Sequence, residues 1–121
     1  MLMVDRVRGI EGMIYELRIY HAMPGRLPAL LARFQNHTLQ IWEKHGICQA
    51  GFWTTLIGKS ESNQLTYLLT WNSLAEREER WNAFLADPEW IAIKTETEKD
   101  SPLVQNISNE LLAPTAFSSV K

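Results

Sequence analysis

The hydrophobic period of this chain switches between two and about 3.6 residues in a fixed order, and that order restricts the folds open to it more than any single motif does. Met13, Tyr15, Leu17 and Ile19 alternate with Ile14, Glu16, Arg18 and Tyr20, which predicts a first strand with one apolar and one mixed face. A turn at Ala22-Met23-Pro24-Gly25 follows. Leu27, Leu30, Leu31, Phe34, Thr38, Ile41, Trp42 and His45 then recur at helical spacing. This first long helix, residues 27–45, tolerates Pro28 because the first turn has no intrahelical use for its N–H. Its end is marked by Lys44 and His45 against the helix dipole and by Gly46 at the left-handed cap, with Ile47 placed to touch Trp42. Residues 50–57 and 65–71 read as two strands of a hairpin. Ser73 and Glu76 form a capping box that opens a helix through Trp81, Phe84 and Leu85, and Asp87-Pro88 starts a short helix carrying Trp90, Ile91 and Ile93. Alternation returns from Leu103 to Leu112 and stops at Pro114.

The result is the order β-α-β-β-α-β, an α+β ferredoxin-like sandwich in which two helices cover one face of a four-stranded antiparallel sheet. The middle strands carry bulky apolar groups on both faces: Phe52 against Trp53, and Leu65, Tyr67, Leu69 and Trp71 against Leu68. A sheet with one wet face alternates more cleanly. The second face therefore needs a cover, and a homodimer with two sheets face to face, a dimeric α/β barrel, supplies it. Residues 1–12 show no period and read as a flexible N-terminal lead ahead of a single domain, residues 13–121.

Charge and composition remove several functions. Twelve Lys+Arg against fourteen Asp+Glu give a net charge of −2, so there is no basic excess to neutralise a nucleic acid backbone. No apolar run approaches the roughly 20 residues that span a bilayer, and no secretory signal is recognisable, so a cytoplasmic protein with no membrane insertion is expected. Cys48 is the only cysteine; with no cation beside it, it reads as a buried or half-buried inert thiol. There is no phosphate-binding glycine loop, no G-x-S-x-G and no H-E-x-x-H. His37 and His45 stand eight residues apart on the predicted helix, roughly 12 Å, too far to share one metal ion. No metal and no cofactor are expected.

Several blocks of residues stand out in a recognisable order. They are Tyr15-Glu16-Leu17-Arg18, Pro24-Gly25, His37-Thr38, Glu43-Lys44-His45-Gly46 and Gly51-Phe52-Trp53 in the first half. The second half adds Tyr67 to Trp71, Ala75-Glu76-Arg77 with Trp81 and Phe84, and Asp87-Pro88-Glu89-Trp90. Together these blocks resemble the NIPSNAP family, over residues 13–118, and the resemblance implies the dimeric α/β barrel already suggested by the element order. It brings no established reaction and no catalytic residues. Animal members are associated with mitochondria and vesicle traffic, and the wider fold group includes cofactor-independent monooxygenases, lactone isomerases, dehydratases and haem-handling enzymes. One fold hosts many functions.

The residues themselves offer a candidate site. Glu16, Arg18 and Tyr20 project from one strand face at steps of about 6.8 Å. Arg18 is placed to clamp an anionic or carbonyl group and Glu16 to act as acid or base, with a structural ion pair as the competing reading. His37, between Phe34 and Ile41 on the helix, is a candidate general base if it points at the sheet, and a hydrogen-bonded structural histidine otherwise. His21 ends the first strand, at a cavity mouth or in a solvated turn. Trp53, Tyr67 and Trp71 are the aromatic groups best placed to line a ligand pocket, although tryptophans more often anchor cores and interfaces. Two functions follow: binding or transformation of an apolar or aromatic small molecule, or a non-catalytic binding and assembly module.

Overall fold

A computed structural model describes residues 13–59 and 63–121. The elements are β1 (Ile14–Ala22), α1 (Leu27–Arg33), a π-helical segment (Phe34–Thr38), α2 (Leu39–Lys44), β2 (Cys48–Thr54), β3 (Gln64–Trp71), α3 (Leu74–Leu85), α4 (Pro88–Thr97) and β4 (Val104–Leu112). The sheet runs β2-β3-β1-β4 with every neighbouring pair antiparallel. This is the expected ferredoxin-like sandwich. The expected N-terminal lead, residues 1–12, lies outside the described residues.

Side-chain alternation assigns the two faces of the sheet. Ile14, Glu16, Arg18, Tyr20 and Ala22 of β1 are buried, as are Leu65, Tyr67, Leu69 and Trp71 of β3, and these pack under the helices. Tyr20 and Tyr67 meet Phe34 of the π-helical segment at ring-centroid distances of 5.7 and 5.5 Å, and Tyr67 stacks on Phe52 at 4.6 Å. Trp42 of α2 packs against Tyr67, Trp81 and Phe84, completing an aromatic core. The intervening residues Tyr15, Leu17, Ile19, Thr66 and Leu68 are half-buried on the opposite, uncovered face.

The helix ends follow local chemistry. At the end of α2 the Ile47 N–H donates to the Trp42 carbonyl at 2.9 Å and the Gly46 N–H to that of Glu43 at 3.2 Å, a Schellman closure. Gly46 sits at φ 70°, and a Cβ there would lie 2.9 Å from Arg80 Nη1, whose guanidinium donates to the Gly46 carbonyl at 2.7 Å. Conformation and space both call for glycine. Ser73 Oγ accepts the Glu76 N–H at 3.0 Å, but the Glu76 carboxylate reaches back to the N–H of Asn72, one residue before the cap. Asp87 caps α4 by accepting the Glu89 N–H at 2.8 Å, and also meets Lys44 Nζ and His45 Nε2, each at 2.7 Å. These contacts hold its carboxyl well below the usual range, the Lys44 bond contributing most. The Glu43-to-Gly46 and Asp87-to-Trp90 blocks are thus two sides of one joint.

Three expectations are corrected. The first helix is continuous over 27–44 but widens at Phe34–Thr38, where the Leu39 N–H reaches the Phe34 carbonyl and Thr38 Oγ1 donates to the Arg33 carbonyl. The hairpin strand begins at Cys48 and ends at Thr54, not at residue 57, because its partner begins at Gln64 and nothing pairs Leu56 and Ile57, both 89% exposed. Cys48 is exposed, since it opens an edge strand and projects away from the helices. The direction of β1, which its period left open, is settled by the fold: the mixed row goes inside, under the helices, and the apolar row is left on the other face.

Candidate functional site

Burying Glu16 and Arg18 on the core side of a central strand is costly unless their polar atoms find partners, and these come from β1 itself, β3, β4 and α3. Glu16 is fully buried. Its Oε1 accepts from Trp71 Nε1 at 3.0 Å and Arg77 Nε at 2.8 Å, and its Oε2 from Arg77 Nη2, Arg18 Nη1 and Asn109 Nδ2, each at 2.9 Å. Burial alone would raise its pKa; the bonds from Arg77 and Asn109, the charge of Arg18 and the bond from Trp71 outweigh it and bring the value down to about 2. Such a carboxylate carries no proton at neutral pH, and its lone pairs are committed to five donors. It anchors guanidiniums; the expected acid or base role does not suit this geometry.

Arg18 is buried, and its guanidinium carbon stands 4.5 Å from the Trp81 ring centroid. Its Nε donates to Tyr67 Oη at 2.8 Å and its Nη2 to Tyr20 Oη at 3.3 Å. Burial works against its charge, but Tyr20, Tyr67 and Glu16 more than offset this and keep it above its ordinary pKa. Of its five N–H groups, three enter these bonds, which leaves one on each terminal nitrogen without a partner among the described residues. One carboxylate against Arg18 and Arg77 also leaves the cluster with a net positive charge.

Beside this cluster a cleft of about 490 Å³ opens between α3, α4 and the β1–β4 half of the sheet. Arg18 and Tyr20 line it from the sheet; Trp81, Phe84 and Trp90 line it from the helices. At its rim Arg33, 4% exposed, stacks on Trp90 with 5.1 Å to the ring centroid and pairs with Glu98 at 2.7 Å, next to Lys94. An aromatic wall with a guanidinium at the sheet and another at the rim suits a flat apolar body with an anionic or carbonyl head.

The predicted residues divide between the two faces. Glu16, Arg18, Tyr20, Tyr67 and Trp71 are brought together under the helices. His37 is exposed on the outer side of the first helix and does not join them; the sheet-facing residues of that segment are Phe34 and Thr38. His21 and Trp53 lie on the open face, Trp53 51% exposed. Sequence reasoning missed Arg33, Arg77 and Asn109 as site residues, and preferred Trp53 and Trp71 over Trp81 and Trp90 as pocket tryptophans. Arg33 carried a signal, a cation three residues after Leu30 on an otherwise apolar stripe. Arg77 and Asn109 carried none beyond being polar, because what selects them is tertiary placement: Arg77 reaches Glu16 from α3, and Asn109 from β4, where it stands opposite Arg18. Among the described residues no three His, Cys, Asp or Glu side chains are grouped to hold a metal ion, and no helix is long and apolar enough to cross a membrane.

The family model for NIPSNAP matches residues 15–119, all but the two ends of the chain. The chain belongs to the NIPSNAP family. Solved NIPSNAP structures superpose closely: a family protein of Agrobacterium tumefaciens has TM-score 0.79 at 26% identity, covering 91% of this chain and 100% of its own. An uncharacterized NIPSNAP-like domain protein of Burkholderia xenovorans has TM-score 0.76 at 29% identity, covering 88% of each chain. A protein of Chloroflexus aurantiacus described as a putative antibiotic biosynthesis monooxygenase, at 15% identity and TM-score 0.53, covering 91% of this chain and all of its own, shares the fold alone. No curated protein matches the chain. NIPSNAP membership thus fixes the architecture, while the use of the cleft is argued from its residues.

Proposed function

We propose that this NIPSNAP protein binds a small apolar or aromatic molecule with an anionic or carbonyl head in the cleft between α3, α4 and the sheet. The observation that carries the reading is Arg18, a buried guanidinium lining an aromatic cleft with N–H groups to spare. Binding rather than proton transfer is favoured because Glu16, the one carboxylate in contact with Arg18 among the described residues, is saturated by donors. Native mass spectrometry of protein purified without denaturant tests it. The expected result is a reproducible extra mass that is absent from a folded Arg18→Met variant; equal retention by the variant contradicts the role of Arg18.

A second reading concerns assembly. Leu17, Ile19 and Leu68 are half-buried and Trp53 half-exposed on the sheet face that the helices leave uncovered. Packing two such faces together as a homodimer buries this apolar surface, as in a dimeric α/β barrel. Sedimentation at micromolar concentration is expected to give twice the chain mass, and a monomer would overturn this reading.

A further inference from the structure

Three phenol and guanidinium groups at the head of the cleft form a chain whose direction can be worked out. Arg18 has no acceptor, so its bonds to Tyr67 Oη at 2.8 Å and Tyr20 Oη at 3.3 Å both run from nitrogen to oxygen. The two phenols lie 3.0 Å apart, and one of them donates to the other. Burial decides which. Tyr67 has no exposed surface, so a proton not spent on Tyr20 would be left without a partner in the core. Tyr20 lines the cleft, where solvent or ligand can accept its proton. Tyr67 therefore donates to Tyr20 across the 3.0 Å contact. The Tyr20 oxygen then receives two donors, from Tyr67 and Arg18, and its own O–H has no acceptor among the described residues.

Most of the other charged groups of the cleft are donors too, while Gln105 and Asn106 on the β4 side carry both a donor and an acceptor. Arg18 keeps two N–H groups, Arg33 is buried with Nε unpartnered among the described residues, and Lys94 adds a third cation. The carboxylate at the rim, Glu98, is taken up by Arg33. Resting on the cleft reading above, we infer that Tyr20 is the residue that selects the ligand head, donating its O–H to an oxygen that only accepts, and that the ligand class is an aromatic carboxylate or enolate, not an alcohol or amine. Two bonds received by the Tyr20 oxygen strengthen the one it gives. Tyr67 acts through Tyr20 and is a positioning residue.

Two measurements test this. On the unliganded wild-type protein, NMR should detect the Tyr67 hydroxyl proton as slowly exchanging and that of Tyr20 as exchanging with solvent; the reverse assignment overturns the inference and leaves the cleft reading standing. Calorimetric titration with 2-naphthoate and with 2-methylnaphthalene, its apolar counterpart, then separates head from body. Wild type should prefer the carboxylate, and Tyr20→Phe should weaken 2-naphthoate by about tenfold while leaving 2-methylnaphthalene within about twofold. A loss shared equally by both compounds shows a merely structural Tyr20, and no loss shows an idle one; either result overturns the inference. No saturable heat from either compound at millimolar concentration overturns the cleft reading and this inference with it. Should the variant fail to fold, the hydroxyl assignment on wild type still decides.

Discussion

The two faces of β1 solve opposite problems. The row Ile14, Glu16, Arg18, Tyr20, Ala22 is polar in the middle and buried, while the row Tyr15, Leu17, Ile19 is apolar and only half-covered. A hydrophobicity rule alone would turn the strand over. The inward row is held in place by partners instead: Trp71, Arg77 and Asn109 converge on Glu16, and Tyr20 and Tyr67 on Arg18. The lesson is that the burial of a charged pair is decided by the donors other elements bring, and that apolar side chains left over mark the surface where a partner is needed.

The comparison breaks most visibly at Glu16. Glu16→Leu strands Arg18 and Arg77 as uncompensated cations, and urea denaturation should show a loss of about 3–5 kcal/mol. A loss below about 1 kcal/mol would mean the cluster is not held by its carboxylate. The opposite face should behave differently. Leu17→Asp places a charge in the proposed sheet-to-sheet contact, and sedimentation should report a monomer whose own fold has lost only about 1–2 kcal/mol. Unchanged assembly would show that the open face is not the contact.

Acid sharpens the same contrast. The Glu16 pKa falls from its ordinary value of 4.5 to about 2 in the fold, so its contribution is fully present above about 4.5 and is lost as pH falls through about 2. Stability should drop between those values in wild type and slope less steeply in Glu16→Gln, read from urea midpoints at each pH. The smallest effect is expected of Tyr67→Phe, which removes one hydroxyl from the Arg18 chain and should cost about 1 kcal/mol by the same measurement.

The element order was legible because each segment declares its own period, and the caps at Gly46, Ser73 and Asp87 are local signals read within a few residues. What escaped is non-local. The widening at Phe34–Thr38 leaves no mark in the residue types, since Phe, Gln, Asn, His and Thr suit an α-helix equally well, yet it goes with His37 facing outward while Phe34 and Thr38 face the sheet. The row Glu16, Arg18, Tyr20 was recognisable as a unit from spacing, but its inward direction depends on Arg77, which is 61 residues away, and Asn109, which is 93 away. Leu56 and Ile57 extended the apolar run of β2 past the point where β3 can pair it. A strand ends where its neighbour does, and one sequence does not announce that.

The tryptophans offer the most direct test of the central claim that the helix-covered face is the ligand face, because they report both sides at once. Trp81 and Trp90 line the cleft and Trp53 stands on the open face. In an NMR titration with 2-naphthoate, the indole N–H signals of Trp81 and Trp90 are predicted to shift together and saturably while that of Trp53 stays in place. Movement of Trp53 with Trp81 and Trp90 unchanged would contradict the account.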